Sequence, residues 1–142
     1  MAIDNYDLDP AVGAPGARAT MENYDARSLT AEADLPFGAV AVQGTTDREA
    51  DVMSAGASPL GIVYRDPLVP AGNGEQYKAG DTATICTRGT FWITAGEAVS
   101  AGDGVTFADD GTFGPTGLNE FPGGATYVDS GSAGDLVRIN LK

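Results

Sequence analysis

No histidine occurs among the 142 residues, and Cys86 is the single cysteine. The first absence removes histidine general bases, histidine metal ligands and the activation of a serine or cysteine nucleophile by imidazole. The second excludes an intrachain disulfide and a cysteine metal cluster. Carboxylates, lysines and tyrosines remain as possible catalysts, but no phosphate loop, dinucleotide fingerprint or nucleophile elbow accompanies them. Basic residues are scarce too: eight Lys and Arg against twenty Asp and Glu give a formal net charge of −12. Such a surface repels a phosphate backbone, so direct nucleic-acid binding is not expected. No apolar run approaches the ~18 residues of a membrane span. The opening stretch MAIDNYDLDP has neither the basic nor the apolar region of a signal peptide. The chain is expected to be made as a soluble cytoplasmic product, with no membrane contact.

What the chain has in quantity is glycine and proline, 20 and 8 residues, spread between short β-branched and aromatic stretches. That pattern predicts many short strands joined by tight turns, an all-β fold built as a small β-barrel or sandwich. A chain of this length is the size of one domain and buries roughly 68% of its unfolded surface. Residues 1–34 lack a sustained period of two or 3.6 and read as an extended N-terminal arm, followed by a β-barrel body over residues 35–142. Within the arm, YDARSLTAEA is compatible with one short helix capped by Asp25 or Ser28. The arm carries irregularly spaced apolar anchors: Tyr6, Leu8, Val12, Met21, Tyr24 and Leu29. They either fold back on the domain or lie extended across a partner, where separate pockets take separate side chains.

In the body, PLGIVYRDP reads as a strand ended by Pro67. YKAGDTATICTRGTFWITAGEAV reads as a hairpin, with Thr82–Cys86 and Phe91–Ala95 as its arms and TRGT as its turn. Further strands are expected around Val105–Phe107, Tyr127–Asp129 and Leu136–Leu141. The tripeptide Ala-Gly-Asp occurs three times, ending at Asp81, Asp103 and Asp135, each time before an apolar alternation. A glycine with positive φ followed by an aspartate that bonds nearby amides is a way to enter a strand. An acid-base pair instead requires two of these carboxylates in one cleft with divergent pKa values.

The sequence holds three other candidates. DDGTFGPTGLNE has the length of a calcium loop, but Gly111 and Phe113 stand where oxygen ligands belong, so a surface loop is expected. Cys86 has nothing to activate it and reads as a structural thiol. Trp92 falls on the strand face opposite Phe91 and Ile93, and serves either in the core or in a contact with another subunit.

From PGARATMENYDARSLTAEADLPFGAVAVQG onward, through LGIVYRDPLVPAG and YKAGDTATICTRGTFWITAGEAVSAGDGVTFADDGTFGP, the sequence resembles the capsid cement (head decoration) proteins of tailed bacteriophages. The likeness spans roughly residues 13 to 115 and rests on the order of the motifs, each being a turn word common among β proteins. The resemblance implies a small β-barrel, often a homotrimer, made in the host cytoplasm. It also implies that the protein clamps neighbouring major capsid protein subunits on the outer surface of the virion head after expansion, without enzymatic activity or cofactor. Two other readings stand beside it. One is a β-barrel binding module for a glycan or host-surface molecule, suggested by Trp92, Tyr64 and Tyr77. The other is a carboxylate-dependent hydrolase, suggested by the aspartates alone.

Overall fold

A computed structural model describes residues 14–19, 24–66, 72 and 74–142. The described chain is all-β and contains no α-helix. Its strands are β1 (Asp25–Ala31), β2 (Leu35–Pro36), β3 (Val40–Gln43), β4 (Glu49–Val52), β5 (Pro59–Val63), β6 (Gln76–Tyr77), β7 (Thr82–Thr94), β8 (Thr106–Phe107), β9 (Phe113–Gly114), β10 (Ala125–Tyr127) and β11 (Leu136–Leu141). Pairing runs β1-β4-β3-β5-β7, and β7 pairs back onto β1, which closes a five-stranded barrel. Only the β1–β4 contact in that ring is parallel. Closure leaves none of the five strands with a free edge in the ring.

A five-stranded barrel has little interior, and the residues filling it are correspondingly small. Ala31, Ala41, Ala50 and Ala83 share it with Leu29, Leu35, Val63 and Ile85, and Phe37 packs edge-on against Tyr77 near them. A second core lies on the other side of the barrel wall. There Val40, Val42, Ile62 and Cys86 meet Phe91, Ile93, Val137 and Ile139 from β7 and β11, together with Phe107, Phe113, Phe121 and Tyr127. Strands β3 and β5 are thus buried on both faces, which is why VAV and GIV are continuously apolar.

Three expectations change. The predicted hairpin over residues 82–95 is one strand of 13 residues, β7. Its first half pairs with β1 and β5, and its second half with β11. Between the halves the strand changes which residues face inward without reversing direction. Arg88 and Cys86 oppose the consecutive residues Asp25 and Ala26, which leaves Thr87 as an extra residue, and Gly89 has φ 122. The short helix expected in YDARSLTAEA is instead strand β1, with Leu29 and Ala31 inward and Ser28 and Thr30 outward. Six register pairs with β7 outweigh whatever a local cap could contribute. Consequently the barrel takes up the chain from Asp25, inside the stretch read as arm, and not from residue 35.

Candidate functional site

The three Ala-Gly-Asp copies build the same unit. In Lys78–Asp81, Ser100–Asp103 and Ser132–Asp135 the aspartate amide donates to the carbonyl of the first residue, at 2.9, 3.0 and 3.0 Å. Glycines 80, 102 and 134 hold φ of 93, 94 and 91°, the third position of a type II turn. Each aspartate Oδ2 then accepts the first residue's amide, at 3.0, 3.1 and 2.9 Å. The closed turn docks onto a neighbouring chain segment by two backbone bonds. The glycine amides donate to the carbonyls of Ala31, Tyr127 and Ala95, and the amides of those same residues donate back to the aspartate carbonyls, all between 2.7 and 2.9 Å. The carboxylates are therefore used in closing their own turns. Asp81→Ala is expected to lower stability by about 0.5–1.5 kcal/mol, and Asp81→Asn, which keeps an acceptor oxygen, by less. Equal drops in the thermal midpoint of both variants would show that the charge matters and the turn closure does not.

Two further turns of the same build lack the aspartate, and sequence reasoning did not single them out. Pro36–Ala39 docks on Val63. Ala14–Ala17 docks on Trp92, where the Gly16 amide donates to the Trp92 carbonyl (2.8 Å) and the Trp92 amide to that of Ala17 (3.0 Å). The shared signal is a glycine of positive φ, Gly38 or Gly16, just before the turn's last residue, which is alanine in both. Ala19 adds a bond to the Thr90 carbonyl, so residues 16–19 line the edge of β7 opposite β11. Arg65 holds this segment from the side: its amide donates to the Gly16 carbonyl and its Nε to that of Pro15, at 2.9 and 2.8 Å.

Of the candidate interface residues, Tyr6, Leu8, Val12 and Met21 lie outside the described residues. Tyr24 is 38% exposed, stacked on Tyr64 and edge-on to Phe91, with the Arg18 guanidinium 4.5 Å from its ring centre. Leu29, 5% exposed, faces the barrel interior and is turned away from any partner. Trp92 is half-buried beneath the Arg138 guanidinium, 5.7 Å from its ring. A two-pronged bond to Asp129 orients that guanidinium, at 2.7 and 2.9 Å, and holds the Asp129 carboxyl below its ordinary value. Tyr24 and Trp92 therefore sit by the residue 16–19 segment, and Leu29 does not.

Burial pushes the Cys86 thiol up to about 12, so it stays protonated at neutral pH. Among the described residues no three acidic or cysteine side chains stand close enough to hold a metal ion. Asp109 and Asp110 of the loop compared with a calcium site accept bonds from Asn119 and from the Thr112 amide. Of the aromatic residues that would suggest a carbohydrate platform, Tyr77 is buried, its hydroxyl donating to the Tyr64 carbonyl, and Tyr64 and Trp92 are half-buried. What sequence reasoning missed is a set of exposed apolar side chains on short loops and strand ends, Val52, Val128 and above all Leu118.

Residues 3–142 match the model of a family described as structural cement protein (E217 gp24/Pam3 gp6). No curated protein matches the sequence significantly. Among solved structures, a chain in the capsid of the Myoviridae phage XM1 superposes with a TM-score of 0.72 at 16% identity, covering 100% of this chain and 98% of that one. The base of the head fiber gp8.5 of bacteriophage phi29 gives a TM-score of 0.56, also at 16% identity, covering 84% of this chain and 95% of that one. At such identities the two structures speak for a common fold.

Proposed function

We propose, because the chain belongs to the structural cement protein family of bacteriophages, that it binds the outer surface of the major capsid protein shell and stabilises the expanded head. In this reading it acts as a homotrimer, without catalysis and without touching nucleic acid. The observation that carries the reading is the family match over residues 3–142. Its physical support is an acidic body with a closed barrel, bearing an N-terminal segment fastened to its side through backbone bonds.

Cementing requires no strong single site. Each copy that binds the expanded shell and not its precursor shifts the equilibrium toward the expanded form. Repetition over the shell multiplies modest contacts, because a subunit held by several neighbours rebinds before it can leave. A rigid body suits this role, since little conformational entropy is lost when it docks.

The experiment is co-sedimentation of the purified protein with expanded shells of its own phage that lack it. Saturable binding is expected, with a higher heat or chelator tolerance of the decorated shells. Absence of binding to such shells would overturn the reading.

A further inference from the structure

Residues 116–120 form a loop that is tied down on both sides of an outward-pointing leucine. The Thr106 hydroxyl oxygen accepts the Gly117 amide at 2.8 Å, and the hydroxyl donates to the Gly114 carbonyl. Asn119 exchanges backbone bonds with Phe107 at 3.0 and 3.1 Å. Its side-chain amide also donates to the Phe107 carbonyl and to Asp109, at 3.1 and 3.0 Å. Thr116 donates to Glu97 at 3.2 Å, and the buried Phe121 packs on Phe107 with ring centres 4.9 Å apart. Between these anchors Leu118 is 92% exposed.

The bonds on either side hold Leu118 in water although burial of its side chain is favourable. Beside it lies an open cleft of about 230 Å³ lined by Glu97, Ala108, Asp109, Thr116 and Gly117. The charged side chains that line the cleft, Glu97 and Asp109, are both acidic. Residues 89–142 contain seven acidic residues against Arg138, which is paired with Asp129, and Lys142, whereas residues 14–88 carry ten acidic and six basic residues. A second copy of this lobe would be repelled by it, and a basic surface attracted.

We propose that Leu118 and the adjoining cleft form a docking knob for the capsid shell protein, received by an apolar pocket set between lysine or arginine side chains. The inference rests on the cement reading and names the part of the molecule that makes the contact. The apolar tip supplies affinity once buried, and the acidic surround guides it to a basic site and disfavours other copies of itself.

The test uses the full chain and expanded shells lacking it, with Leu118→Asp and Glu120→Lys as variants. Neither side chain makes a described contact in the body, so both variants are expected to keep the wild-type thermal midpoint. Leu118→Asp is expected to weaken shell binding at least about tenfold, as for a central apolar anchor. Glu120→Lys is expected to weaken it less, and wild-type binding to fall as salt is raised. Unchanged affinity of Leu118→Asp for shells that the wild type binds would overturn the knob and leave the cement reading standing. Wild-type protein that binds no shell takes down both. Self-association of the wild type that Leu118→Asp abolishes would assign the knob to a second copy and overturn the capsid contact.

Discussion

A chain shortened to residues 32–142 is expected to lose its cooperative thermal transition, whereas one starting at Ala14 keeps it. The difference is strand β1. Among the described strands it alone joins β4 to β7, so without it the ring opens and β4 and β7 each expose a row of unpaired amides and carbonyls. Leu29 and Ala31 leave the barrel interior at the same time, and the docked turn at Asp81 loses both backbone bonds to Ala31. A domain of this size is stable by about 5–15 kcal/mol, and a ring strand with six register pairs to one neighbour is a large part of that margin. A chain beginning at Ala14 retains every contact described above. Circular dichroism melts of the two truncations and the full chain decide the matter. A cooperative melt of residues 32–142 within a few degrees of the full chain would show that β1 is dispensable. The same comparison guards the functional experiments: an arm deletion that reaches β1 tests folding and not attachment.

Gly61→Ala is expected to destabilise the protein by at least about 3 kcal/mol, at the upper end of what a single methyl does. Strand β5 passes β7 so closely at this point that a Cβ on residue 61 would lie 2.0 Å from the Cys86 carbonyl oxygen and 2.8 Å from its carbon. Both are backbone atoms of a paired strand, so no side-chain rotation relieves the overlap. The strands must part, and the pairs Ile62–Cys86 and Val63–Ile85 part with them. Because Ile62 faces the second core and Val63 the barrel interior, the damage reaches both. Gly104→Ala is the control. It has open space where its Cβ would go, so it should cost under about 1 kcal/mol. Urea midpoints of the two variants measure the difference, and similar values for both would refute the close-packing account.

How far the sequence carried the reading depends on the range of the interaction involved. The Ala-Gly-Asp turns were legible because their geometry is settled within four residues by a glycine and one carboxylate. The strand over Leu136–Leu141 was legible because its burial alternates without interruption. The hairpin reading of residues 82–95 was not correct, since TRGT looks the same locally whether the chain reverses or only changes face. The helix reading of YDARSLTAEA failed for a similar reason. Its caps are local, while the strand partners that decide its conformation lie more than 50 residues away, at Thr82–Arg88. Among the candidate interface residues, spacing could not distinguish the buried Leu29 from the half-exposed Tyr24, because both sit among polar neighbours. Leu118 gave no signal at all, being one apolar residue in a polar loop.

By itself, then, the sequence determined the all-β class, the absence of imidazole and disulfide chemistry, the acidic charge and the three Ala-Gly-Asp turns. Each follows from composition or from contacts a few residues apart, which any fold of this chain must share. The tertiary structure alone decided that β1 closes the barrel, that β7 serves two cores, that residues 14–17 dock beside Trp92, and that Leu118 stands in water. Those outcomes depend on which distant segments meet, and burial and backbone pairing between such segments are properties of the assembled molecule that no short stretch encodes.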